Sequence, residues 1–308
     1  MSLAYISQQT IVYSGIGFLL FGVLGNTINI YIFSSVSIYR RTPASFYFLI
    51  DSIFKNVYLL VNLTPRVIGH IYGYDFANIS LLWCKFRQSI LIMSAAISLT
   101  LTTLCVIDQY LVTSSNPSIR RLSRIQVSYR VVIIAVIVWF LHAIPFFVFY
   151  GISPTTKTCA SMNSILANYI SIFFLAILCI IPISLICFFG YLTYENIRRT
   201  IALAEQHADR QLIKMTFSQV IFAFFYSTPL GILYLYSAIT SSVVKDPDRM
   251  LKEYFAYMII STEITFYYAS SFYVFLFSSS RFRRNVTQRL FGERSRNKIR
   301  PKISRSMT

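Results

Sequence analysis

Charge is what this sequence has least of. Asp, Glu, Lys and Arg make up only 13% of its 308 residues, where a soluble domain carries about a quarter. That scarcity excludes a water-soluble fold, the more so because 56% of the residues are hydrophobic and the mean hydropathy is +0.60. Histidine is scarce too: His70, His142 and His207 are scattered, and no His-Glu-X-X-His occurs. There is no Gly-X-Ser-X-Gly elbow and no glycine-rich phosphate loop. Without those signatures the common metalloprotease, hydrolase and nucleotide-binding chemistries have nothing to rest on, and no enzyme activity, cofactor or metal is expected. The five cysteines lack zinc-type spacing. No basic segment followed by a short apolar core and a cleavage site opens the chain. Its first apolar run, from near Ile11, is too long for a signal core and is expected to stay as a helix.

The net charge of +17 would suit a nucleic-acid partner. Its distribution argues otherwise. The basic residues fall in short loops and the tail, where anionic lipids of the inner leaflet attract them. Membrane lipids are therefore expected partners, and nucleic acid is not.

The pattern of apolar runs centres on Trp83 to Arg121. Lys85 and Arg87 precede a charge-free run at 89–107, and Asp108 closes it. About 20 such residues make one helix across a bilayer. Similar runs at 11–33, 44–72, 129–150, 169–194, 212–239 and 254–277 give seven spans. The basic residues Arg40, Arg41, Arg120, Arg121 and Arg124 and the tail fall on one side, so the positive-inside rule sets the N-terminus outside. The division expected is an extracellular start at 1–10, a bundle at 11–277, an amphipathic surface helix at 278–291 and a basic cytoplasmic tail at 292–308. Phe282, Val286 and Leu290 recur every four residues among arginines, which is the pattern of a helix lying on the inner leaflet. Fold class is thus an all-α membrane protein, a seven-helix bundle with a short amphipathic eighth helix.

Several polar groups stand out against this apolar background. Asp51 and Lys55 are one turn apart and can pair on one helix face; a structural or snorkelling role is expected. Asn78-Ile79-Ser80 is a glycosylation sequon in the first outer loop. Cys105, Cys179 and Cys187 lie inside apolar runs and are expected to be small buried residues.

Cys84 at the head of the third run, with Asp108-Gln109-Tyr110-Leu111 at its foot, resembles the third helix of rhodopsin-like (class A) G-protein-coupled receptors. Gly25-Asn26, Tyr47-Phe48-Leu49 with Asn56, Trp139, Pro182, Pro229 and Ser279-Ser280-Arg281-Phe282-Arg283 fit the same family. The resemblance covers nearly the whole chain. It implies a plasma-membrane receptor that senses an extracellular peptide or small molecule and opens its cytoplasmic face to a heterotrimeric G protein. It also implies a Cys84–Cys159 bridge, a switch built on Asp108, Gln109, Tyr110, Asp209 and Pro229, and a polar core of Asn26, Asn56 and Ser271.

The departures are specific. Gln109 stands where the family has arginine, Asn56 where it has aspartate, Tyr226-Ser227-Thr228-Pro229 where it has Cys-Trp-X-Pro, and Ser271-Phe272-Tyr273-Val274-Phe275 where it has Asn-Pro-X-X-Tyr. Such divergence is similar to that of expanded invertebrate chemosensory or peptide-receptor-like families. A ligand pocket is expected below the bridge, with Arg87, Gln88, Leu91, Ile92 and Ala95 from the third helix. Tyr234, Tyr236 and Tyr257 stand near the outer half of helices six and seven, where an aromatic stripe is more often packing or interface belt than ligand contact, and Arg66 and Glu263 stand at the rim. No aspartate lies near Leu91 and no lysine in 254–277, so biogenic amines and retinal are not expected. Two other readings stay open: a receptor fold that no longer couples, on the altered motifs, and a transporter or channel, on the intramembrane charges Asp51, Lys55 and Glu263.

Overall fold

The computed structural model describes residues 3–155, 157–199, 207–240, 243 and 245–292; inside the helices, the side chains at 3–8, 10–11, 199 and 207–210 lie outside the description. Seven long helices carry the fold: α1 (Leu3–Ser35), α2 (Pro43–Tyr72), α3 (Leu81–Thr113), α4 (Ile125–Phe149), α5 (Ser164–Arg198), α6 (His207–Ile239) and α7 (Pro247–Ser278). A short α8 (Ser280–Leu290) follows. Between α4 and α5 lies a small antiparallel hairpin of β1 (Tyr150–Ile152) and β2 (Cys159–Ser161), an addition to the expected all-helical chain.

Six of these helices, α1 to α6, are long and apolar enough to cross a membrane, which makes this an all-α multi-pass membrane protein. The packing fits that solvent. In α4, Ile133, Ile134, Ile137, Val138 and Leu141 face outward in a continuous exposed apolar surface, which only lipid would cover. By contrast α3 is the axis: 67% of its most apolar window is buried, against 17% for α4. It packs on α2, α4, α5 and α6, while α1 lies against α2 and α7, and α7 against α6.

The helix ends follow local chemistry. Pro43 and Pro247 open α2 and α7, where a missing N–H costs nothing and φ is preset. Ser80 Oγ accepts from Trp83 N at 3.3 Å and caps α3; Asn163 Oδ1 accepts from Leu166 N at 3.1 Å and caps α5. Gly73, at φ 79°, closes α2 in the left-handed region that glycine adopts without strain. Gly22 lets α1 approach α7, since a Cβ there would stand 2.9 Å from the Cα of Ala269.

Helices run past the apolar runs that mark them. The helix α1 begins at Leu3, inside the segment expected to be the extracellular start, and α4, α5 and α7 begin at Ile125, Ser164 and Pro247. Polar turns continue a helix beyond hydrocarbon, because backbone bonds are satisfied equally well there. The middle of α5, Phe173–Ile180, is a π-helix. It ends just before Pro182, which has no N–H to give to an i−4 carbonyl. Cys187 is exposed on the outer face of α5 rather than buried, whereas Cys105 and Cys179 are buried. The expected tail falls outside the described residues from 293 onward.

At the end of the bundle away from the hairpin, Phe33, Phe48, Phe275 and Phe282 join α1, α2, α7 and α8. Phe48 and Phe275 stand 4.6 Å apart between ring centroids, and Phe33 and Phe282 5.6 Å. Phe282 and Val286 bury the apolar face of α8 here, while Leu290 is exposed.

Candidate functional site

Cys84 at the head of α3 and Cys159 on β2 are bonded. The bridge holds the hairpin over the bundle, and Asn78 Oδ1 secures it by accepting from Cys159 N at 2.8 Å. The sequon asparagine is thus half-buried against the hairpin, with its carbonyl used as a structural acceptor.

Beneath the hairpin lies a cavity of about 930 Å³. It is lined by Arg87, Gln88, Leu91, Ile92 and Ala95 of α3, together with Tyr234 of α6. Helical geometry brings these together: positions 88, 91, 92 and 95 share one face of α3. Glu263 is not among the lining residues. The cavity face of α7 runs through Tyr254, Tyr257, Met258, Ser261, Ile264 and Tyr268, and position 263 falls off that stripe and is exposed. Tyr236 is also elsewhere; its hydroxyl donates to Glu253 at 2.7 Å and accepts from Arg249 at 2.8 Å. Sequence reasoning missed Tyr58 and Tyr268, which stack at 3.8 Å in the cavity wall. It also missed the contribution of the π-helix, which turns Phe174, Leu178 and Cys179 to the cavity. Such segments are frequent at functional sites.

Below the cavity floor is a buried polar network. Lys55 Nζ lies 2.8 Å from Asp51 Oδ2, with side-chain exposures of 0% and 3%. Lys55 also donates to Ser271 Oγ of α7 at 2.7 Å and sits 4.4 Å over the ring of Tyr267. Ser98 of α3 donates to Asp51 Oδ1 at 2.5 Å, and Gln219 of α6 donates to Ser271 at 3.4 Å. Four helices meet in this cluster. The pair does not snorkel: position 55 lies mid-helix with α3 and α7 packed over it, so neither head reaches an interface. Ser271, one of the residues expected in the polar core, sits in this cluster. Asn26 reaches across to α7, where its Nδ2 donates to Tyr268 O at 3.0 Å. Asn56 stands apart, half-buried and donating to Thr27 of α1 at 3.3 Å. One residue from Lys55, it is rotated about 100° around α2 and so misses the centre.

The third site is the end opposite the hairpin. Asp108 Oδ1 accepts from Ser123 Oγ at 2.6 Å, tying α3 to the connection before α4. Gln109 is buried, and Tyr110 packs on Phe189 of α5 at 5.5 Å. Pro229 lies inside α6. The side chain of Asp209, the remaining residue of the expected switch, lies outside the described residues. Sequence reasoning missed a contact that holds α6. Gln211 Oε1 accepts from Ser279 Oγ and Arg281 N, both at 2.7 Å, and Gln211 Nε2 donates to Ser280 Oγ at 3.0 Å. Ser279 also caps α8 by accepting from Phe282 N at 3.1 Å.

No protein-family model matches this sequence, and no curated protein matches it.

Proposed function

We propose that this chain is a seven-span receptor that binds an extracellular ligand under the hairpin and signals by opening the opposite end of the bundle to a heterotrimeric G protein. In this reading α7 is the seventh span; tyrosine, serine and threonine lower its hydropathy, and Glu263 is its one charge between 254 and 277. The N-terminus and hairpin face outside at the plasma membrane, and α8 lies on the inner leaflet. The carrying observation is the cavity beneath the Cys84–Cys159 bridge, whose volume is near the upper end of the usual range for ligand sites, about 300–1,000 Å³. The polar network below it joins α2, α3, α6 and α7, the kind of shared element that two sites can bias. The resemblance in sequence to rhodopsin-like receptors supplies the transducer.

A ligand screen with a promiscuous G-protein readout tests the reading. Activation by a ligand, lost when the cavity is filled by Ala95→Trp, is the expected result. Staining of an N-terminal tag only after permeabilisation would overturn the orientation. The buried Asp51–Lys55 pair is the one observation that favours a transporter or channel instead; ion flux in liposomes without any G protein would select that reading.

A further inference from the structure

The cavity wall carries two guanidinium groups and little to neutralise them. Arg66 of α2 and Arg87 of α3 both line it. Arg66 donates to Ser261 Oγ at 3.0 Å and to Met258 Sδ at 2.8 Å, both on α7. Arg87 donates to Asn62 Oδ1 at 3.3 Å, and its Nε is buried with no partner among the described residues. All these acceptors are neutral, and among the described residues neither arginine has a carboxylate within salt-bridge distance. The only acid in the described lining is Asp75, and its Oδ1 is occupied as the cap of the short helix Phe76–Ile79, accepting from Ala77 N at 2.9 Å. Glu253, at the head of α7, is held by Lys245 and Arg249.

Both arginines are half-buried; taking a cation out of water without an anion is costly, and each guanidinium has five N–H donors to satisfy. Deeper in the same cavity the wall changes character: Ile92, Leu99, Leu178, Leu230 and Ile264 are apolar. Tyr58, Tyr234, Tyr257 and Tyr268 also line the cavity, aromatic walls with polar tips. We infer that the ligand of this cavity is an amphipathic organic anion, with a carboxylate- or phosphate-type head at Arg66 and Arg87 and an apolar or aromatic body against the deeper wall. Guanidinium forks match the two oxygens of such a head. The neutral bonds to Asn62 and Ser261 keep the forks in place until it arrives. This deepens the receptor reading by naming the ligand's chemistry, and it rests on that reading only for the word ligand.

The test uses full-length protein in nanodiscs of zwitterionic lipid and three matched probes: 2-naphthylacetate, its neutral amide, and 2-(2-naphthyl)ethylammonium. Saturation-transfer NMR against empty nanodiscs reads binding directly. The carboxylate is expected to bind at least tenfold more tightly than the amide, and the ammonium least. Arg87→Gln should remove that preference, and Arg87→Lys, which keeps the charge but not the fork, should leave part of it. If Arg87→Gln does not fold, Ser261→Ala, which frees Arg66 from a neutral partner, should shift the carboxylate affinity and leave the amide unchanged. Equal binding of the three probes, no binding of the carboxylate, or a preference that survives both arginine substitutions overturns the inference. No transducer is needed for this readout, so carboxylate binding here with no response in the G-protein screen would count against the receptor reading alone. An amine that activates the protein would count against the anion alone.

Discussion

Lys55 Nζ and Asp51 Oδ2 lie 2.8 Å apart, one turn from each other on α2, and both side chains are sealed inside the bundle. Their remaining contacts are supplied from other helices: Ser98 from α3 on the carboxylate, Ser271 and the Tyr267 ring from α7 on the ammonium. Two opposite charges buried together cancel at a distance while each stays expensive alone. The pair therefore fixes how α2, α3 and α7 sit against one another, since any sliding of α7 separates Lys55 from Ser271.

Breaking the pair should cost more than deleting it. Asp51→Asn or Lys55→Met alone leaves one uncompensated buried charge, at about 3–5 kcal/mol, while the double substitution should be near neutral. Thermal unfolding of the four proteins in one detergent gives the coupling directly. Additive losses would mean that the two charges do not depend on each other.

At the mouth of the bundle, before the expected span at 254–277, Glu253 accepts from Lys245 Nζ at 2.6 Å, Tyr236 Oη at 2.7 Å and Arg249 Nε at 3.0 Å. The hydrogen bond from Lys245, followed by that from Tyr236, holds its carboxyl down to about 2, against 4.5 ordinarily. A depressed carboxyl contributes order that is fully present above the unfolded value and lost as pH falls through the folded one. Protection of the amides at 246–253, corrected for intrinsic exchange, should hold from pH 7 to 5 and fall between about 4.5 and 2. Glu253→Gln should show the low-pH behaviour at pH 7. A loss of protection already complete at pH 5 would assign the order here to other contacts.

The bridge gives a third test. Cys84 and Cys159 close the chain between α3 and the hairpin, and loss of a native disulfide commonly costs about 2–5 kcal/mol in small secreted domains. Cys84→Ser should lower surface expression and, in whatever protein survives, weaken ligand binding by releasing the cavity roof. Non-reducing peptide maps of surface protein should find Cys105, Cys179 and Cys187 as free thiols. A map with Cys84 unpaired in wild-type protein contradicts the bridge.

The sequence made the helices legible because lipid demands long apolar runs, and 89–107 can be little else. It also made the α3 lining legible: once Cys84 fixes the outer end, helical periodicity sets Gln88, Leu91, Ile92 and Ala95 on one face. Glu263, expected at the rim, falls off the lining because depth along a helix is readable from position, whereas rotation about its axis needs a neighbour to fix it. The resemblance implied Asn56 for the polar core, but one residue of rotation leaves it beside Thr27 while Lys55 holds the centre. Tyr58, Tyr268 and the π-helix of α5 were hidden for different reasons. Tyrosines are abundant throughout this chain, and no residue type marks a shift in backbone hydrogen-bond register. Gln211 carried no signal at all, since its partners are Ser279, Ser280 and the backbone of Arg281, far along the chain.

That last contact bears on how the protein would open. In the receptor reading, signalling swings the end of α6 opposite the hairpin away from α3. Gln211 resists this, because one side-chain amide spans from α6 to the α7–α8 junction through three hydrogen bonds of 2.7–3.0 Å. Each contributes about 0.5–1.5 kcal/mol net, and part of that is recovered from water when the end opens. If Gln211→Ala removes about 1.4 kcal/mol of closed-state preference, a rarely populated open form rises about tenfold. Leu212 and Met215, buried one side along the same helix, keep the apolar contact intact, so the variant should fold normally. Spin labels on cysteines placed at the ends of α6 and α3, in a background without the exposed Cys187, would read the distance distribution by pulsed resonance. A longer-distance population in Gln211→Ala that is absent from Leu290→Ala, a change at the exposed end of α8, is the expected result. Gln211→Glu distinguishes latch from packing: it keeps the acceptor for Ser279 and Arg281 but loses the donor to Ser280, and should open less than the alanine variant. If all three variants match the unsubstituted protein, α6 is held by its apolar contacts alone and Gln211 is not a latch.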